Sequence, residues 1–96
     1  MPQYILLMHD DAAADESHWE PYLRLLKERG CFEGGSALGG GIRVRKSGTP
    51  GSLTGHLAGF IRVNADSLEQ AKSLLAGNPV FEAGGTVEIR TLPRTD

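Results

Sequence analysis

The chain has one cysteine, one tryptophan, an aromatic content of 6%, and no long apolar run. Each scarcity excludes something. The lone Cys31 has no partner in the chain for a disulfide and no metal-ligand spacing around it, which fits a reducing compartment and argues against a nucleophile with an adjacent base. No apolar segment approaches the roughly 18 residues that a spanning helix needs. The opening residues also lack the basic and apolar regions of a secretory signal, so a cytoplasmic protein without a membrane partner is expected. Positive charge is scarce too: ten Lys and Arg against twelve Asp and Glu leave a net charge of −2. With the cations scattered, no basic face is available for a phosphate backbone, and nucleic acid is not an expected partner. A chain of 96 residues makes one domain that hides only about two-thirds of its unfolded surface, which makes oligomerisation an expectation.

The most legible stretch is Leu57 to Pro79. Ile61 and Val63 share one parity and Ala58, Phe60 and Arg62 the other, the two-residue period of a pleated strand. Asp66 is the expected N-cap of the helix that follows, with Glu69 reaching back in a capping box. Leu68, Ala71, Leu74 and Leu75 form the apolar stripe of that helix, and Gly77, Asn78 and Pro79 stop it.

The remaining elements follow in order. Gln3 to His9 is an almost continuous apolar run too short for a helix, and reads as a central strand covered on both faces. Residues 10 to 16 are an acidic, alanine-rich connection. A capping box of Ser17 and Glu20 then opens a helix carrying Trp19, Tyr22, Leu23 and Leu26 on one face, with Gly30 as its stop. Residues 31 to 38 read as a second strand, and Ile42 to Lys46 alternates like a charged edge strand. Ser47 to Thr54 is a surface loop, and Thr86 to Leu92 is the closing strand.

The expected fold is therefore α+β: a ferredoxin-like βαββαβ chain, 1–96 in one domain, with an antiparallel sheet. Two helices cover one face of such a sheet. The other would carry Phe60, Arg62, Glu88 and Arg90, too apolar to lie bare and too charged for a dry core. A face-to-face dimer or a ligand cavity on that face would resolve the conflict.

The chain resembles the YCII-related family of dimeric α+β barrels. The resemblance rests on Tyr4 to Asp11, on Leu26 to Leu38 with Gly30 and Gly34-Gly35, and on Gly59 to Pro79 followed by Gly84-Gly85-Thr86-Val87-Glu88-Ile89. It leaves out residues 39–56. It implies a homodimer whose sheets face each other and a cleft in which a histidine and an aspartate act as an acid–base pair. His18 stands at the place of the family histidine relative to Gly35. The family aspartate has no match, because Ser36 to Lys46 contains no acidic residue. The Asp-Gly-Pro-Phe segment of one large branch is replaced here by Leu53-Thr54-Gly55-His56.

Candidate chemistry follows from these residues. Histidine changes charge near neutral pH and serves as general acid or base. His18 is the expected base, on the strength of the resemblance, with His9 or Asp10 in place of the missing aspartate. Arg62 or Arg90 would steady developing negative charge, and Trp19, His56 and Ser36 complete the expected ligand contacts. No metal site is expected, since no His-x-x-x-His or Cys-x-x-Cys spacing occurs. The run Gly39 to Gly41 lacks the Gly-Lys-Ser/Thr of a phosphate loop, and no cofactor is expected. The reading is a small cofactor-independent enzyme carrying out proton transfer on a small cyclic or aromatic-derived molecule, as an isomerase or lyase. A non-catalytic small-molecule-binding module is the alternative.

Overall fold

Alternation of large apolar residues on one parity lets a strand bury one face, and β1 (Gln3–His9) does so with Tyr4, Leu6 and Met8 inward and Gln3, Ile5, Leu7 and His9 half-buried on the opposite face. In the computed structural model, which describes residues 2–93, β1 is central, but helices cover only its inner face. The expectation of cover on both faces is thus corrected for this chain.

The elements run β1, a 3-10 turn at Glu16–His18, α1 (Trp19–Glu28), β2 (Phe32–Ala37), β3 (Leu57–Asn64), α2 (Leu68–Ser73), α3 (Pro79–Glu82) and β4 (Val87–Leu92). The four strands form one sheet in the order β2-β3-β1-β4, with every neighbouring pair antiparallel. The architecture is α+β and compatible with a ferredoxin-like fold. No helix among the described residues is long and apolar enough to cross a membrane.

The core lies between the sheet and the helices. Tyr4, Leu6 and Met8 of β1 meet Ile61 and Val63 of β3, while Tyr22 and Leu26 of α1 and Ala71, Leu74, Leu75 and Val80 close over them. Tyr22 donates its hydroxyl to the Leu74 carbonyl at 2.8 Å and thereby ties α1 to the end of α2. Burial of that ring holds the Tyr22 phenol above its ordinary value, with the Asn78 side chain offsetting part of the effect.

Four local expectations are corrected. The Ser17–Glu20 box is replaced by an Asp15 cap, whose Oδ1 accepts from the Ser17 N–H at 3.0 Å and from its hydroxyl at 2.6 Å; Pro21 then sits in the first turn of α1, where no intrahelical bond is lost. The second cap moves one residue, since Ser67 accepts from Gln70 N–H and Gln70 reaches back to the Asp66 N–H. That register leaves Leu68 52% exposed. Finally, Ile42 to Lys46 forms no strand: Arg43 donates to the Pro50 carbonyl and to Thr54 Oγ1, and Arg45 to the Thr49 carbonyl, within the same long connection. Ile42 and Val44 are left 82% and 78% exposed.

Candidate functional site

The end of β1 is where the chemistry-bearing residues gather. A register shift between Met8 and His9 frees the strand from strict pairing, and two backbone bonds then fix it from opposite sides. His9 N–H donates to the Thr86 carbonyl at 3.0 Å, ahead of β4, and Asp10 N–H to the His56 carbonyl at 2.8 Å, ahead of β3. Asp11 completes the anchor by accepting from both the amide and the hydroxyl of Thr86.

The His9 ring lies at the end of β1, beside Glu88 and His56. Its Nε2 is 3.4 Å from Glu88 Oε1, an ion-pair distance that falls short of hydrogen-bond geometry, and its ring centroid is 5.1 Å from that of His56. The His9 side chain is 20% exposed. The other oxygen of Glu88 accepts from Arg90 Nη1 at 3.2 Å, so Arg90, Glu88 and His9 form a chain across the end of the sheet.

Beside this chain lies a cavity of about 350 Å³, lined by His9, Asp10, Glu16, Trp19 and Ser36 among polar and aromatic residues, with Met8, Leu23, Phe32, Phe60, Ile61 and Val80 as further walls. Its size and mixed lining are those of a small-molecule site. The space has a local cause. On the helix-facing side of the sheet, the register brings Gly35 opposite Ile61, and Ala37 opposite Gly59, which in turn pairs with Met8. Three small residues there leave Trp19 and Leu23 only partly buried against the core. Trp19 packs edge-on against Tyr22 at 6.2 Å, and Lys27 sits over the Phe32 ring at 5.4 Å without lining the cavity.

The expected site residues are divided by this geometry. His9, Asp10, Trp19 and Ser36 line the cavity, and His56 stands behind His9. His18 does not: it closes the 3-10 turn, its side chain is 63% exposed, and its Nε2 faces Asp15 Oδ2 at 3.4 Å. Arg62 and Arg90 flank Ile5 on the open face of the sheet, outside the cavity, with Arg62 donating to Gln3 Oε1.

Two residues that sequence reasoning left out of the site are Glu88 and Glu16. Glu88 becomes visible only through the register, since it pairs with Leu7, two residues before His9. Glu16 was legible as part of the acidic connection, but nothing in the spacing distinguished it from its neighbours. Two carboxyls near the site are held below their ordinary range, Asp11 by the Thr86 hydroxyl and amide, and Asp15 by the Ser17 hydroxyl and amide. Among the described residues, no group of three or more His, Cys, Asp and Glu side chains is arranged to hold a metal ion. No protein-family model matches the chain, and no curated protein matches it significantly.

Proposed function

We propose that this chain is a small cofactor-independent enzyme of the YCII type, a homodimer of ferredoxin-like subunits in an α+β barrel, that moves a proton on a small cyclic or aromatic-derived molecule as an isomerase or lyase. The observation that carries the reading is His9, which lines the cavity while its Nε2 faces Glu88. A carboxylate opposite Nε2 favours the tautomer with the proton on that nitrogen and leaves Nδ1 as the basic one. His9 then takes a proton from carbon next to a carbonyl and returns it elsewhere on the molecule, with Glu88 stabilising the imidazolium and Arg90 positioning Glu88. Asp10 lines the same cavity. His18 takes no part in this transfer, because its ring is exposed and faces Asp15 outside the cavity.

The dimer is supported by the open face of the sheet. The register sets Phe60, Leu7 and Glu88 in one row and Arg62, Ile5 and Arg90 in the next, a half-apolar and half-charged surface that a second copy would cover. One observation favours the alternative of a non-catalytic binding module: the His9–Glu88 contact is not a formed hydrogen bond.

Solvent-deuterium exchange into a panel of small cyclic ketones, enones and lactones, followed by proton NMR, separates the two readings. Wild-type protein accelerates exchange, His9→Gln abolishes the acceleration and His18→Gln keeps it. Exchange that is absent, or that survives His9→Gln, overturns the catalytic reading and leaves the binding module.

A further inference from the structure

The charge around the cavity restricts what it takes. Four acidic residues lie on the connection between β1 and α1, and they fall into two pairs. Asp11 is engaged by Thr86 and Asp15 by Ser17 and His18, and neither lines the cavity. Asp10 and Glu16 have no side-chain hydrogen bond or ion pair among the described residues, and both line the cavity. Beyond these two, the polar side chains on its walls are those of His9 and Ser36; the rest of the lining is apolar, aromatic or glycine, and no described lysine or arginine is among it. Arg62 and Arg90, the cations nearest in role to an anion clamp, are engaged with Gln3 and Glu88 on the open face of the sheet.

From this division of carboxylates we infer that the cavity selects a neutral or cationic ligand, an aromatic ring carrying an amine or a hydroxyl, and disfavours carboxylates. The inference rests on the proposed small-molecule role of the same cavity and adds the ligand's charge to it. The apolar walls with Trp19 and Phe60 bury the ring, while the unpaired carboxylates of Asp10 and Glu16 at the exposed rim attract a cation and repel an anion. Because both carboxylates are solvent-exposed, their effect is screened and falls with added salt.

Trp19 is the only tryptophan in the chain and a wall of the cavity, so its fluorescence reads occupancy directly. The probes are 2-phenylethylamine, 2-phenylethanol and phenylacetate, alike in size and differing in charge. The expected order of affinity is amine, then alcohol, then phenylacetate, with a spread between the ends on the order of tenfold at low ionic strength that narrows as salt is raised. In an Asp10→Asn, Glu16→Gln variant the amine loses its advantage over the alcohol. If phenylacetate binds as tightly as the amine, or the variant keeps the amine's advantage, the charge selection is overturned while the cavity remains a binding site. If none of the three perturbs Trp19, the small-molecule role itself fails and this inference with it.

Discussion

Thr86 gives both its amide and its hydroxyl to one carboxylate, that of Asp11, at 2.9 and 2.6 Å. The pair joins the loop after β1 to the residue that begins the approach to β4, across 75 positions of sequence. It is also why the Asp11 carboxyl titrates below its ordinary value. A carboxyl with a depressed folded-state pKa stabilises the fold above its unfolded pKa of about 3.9 and loses that contribution as pH falls through the folded value. The expected outcome for Asp11→Asn is a variant less stable than wild type at pH 7, with the gap closing as the pH is taken below about 4. Urea unfolding at both pH values measures this. Asp15, depressed by Ser17, leaves some acid dependence in the variant. A gap that stays constant with pH would show that Thr86 does not discriminate between the charged and neutral carboxyl.

At the alkaline end the sign is reversed. The Tyr22 phenol is raised by burial, so the folded state resists losing its proton. Its contribution is intact below the unfolded value of about 10 and is lost as pH rises through the folded one. Tyr22→Phe removes this dependence and strands the Leu74 carbonyl, at a cost of about 1–2 kcal/mol at neutral pH. Chemical denaturation at pH 7 and again above pH 10 checks both effects, which predict a difference between the two proteins that shrinks in base.

Ser67→Ala and Asp66→Ala test which residue caps α2. The Ser67 side chain accepts from Gln70 N–H at 3.1 Å, whereas Asp66 contributes its backbone N–H, not its side chain, to the cap. Loss of the serine is expected to cost about 1 kcal/mol, and loss of the Asp66 side chain to lie within about 0.5 kcal/mol of zero. Equal effects in urea titrations would restore Asp66 as a capping residue.

That one-residue shift illustrates what was readable in this chain. Asp66-x-x-Glu69 and Ser67-x-x-Gln70 are both valid capping boxes, and only the packing of Ala71, Leu74 and Leu75 against the sheet chooses between them. Strand parity was legible because it depends on neighbouring residues alone, and Ile61 and Val63 do face inward. The Ile42–Lys46 alternation was equally strand-like locally, yet a strand requires a partner. Arg43 and Arg45 found theirs in loop carbonyls instead. The site was the least legible part, because the proximity of His9 to Glu88 and the room left by Gly35, Ala37 and Gly59 are consequences of register between distant strands.

Gly35 itself is open to a direct test. A Cβ at this position would lie 2.5 Å from the Phe60 carbonyl oxygen and 3.0 Å from the Ile61 Cα, both backbone atoms of β3 that cannot swing away. Gly35→Ala therefore has to push two strands apart and is expected to destabilise by about 1–3 kcal/mol. Gly40→Ala meets nothing within 4 Å and serves as the control, expected within about 0.5 kcal/mol of wild type. Because Gly35 also lines the cavity, the same strain should reach Trp19. A Gly35→Ala protein with wild-type stability and Trp19 emission would mean that β2 accommodates the methyl group without moving.

The connection from residue 38 to residue 56 contributes little to the stability of the fold. Its base is already closed, because Leu38 N–H donates to the Ala58 carbonyl at 2.9 Å and Ala37 pairs with Gly59. The contacts within it are three exposed arginine hydrogen bonds, of a kind that contributes little to stability. Replacing residues 40–53 with a short Gly-Asn turn keeps Gly55 and His56 and shortens the loop several-fold, which lowers the closure cost by about 1 kcal/mol. The shortened protein is expected to be more stable than wild type by about that amount, and to be less prone to associate through the exposed Ile42 and Val44. Urea unfolding reads the first effect and light scattering the second. A shortened chain less stable by 2 kcal/mol or more on the same scale would show that the connection packs against the rest of the molecule in a way its exposed side chains do not indicate.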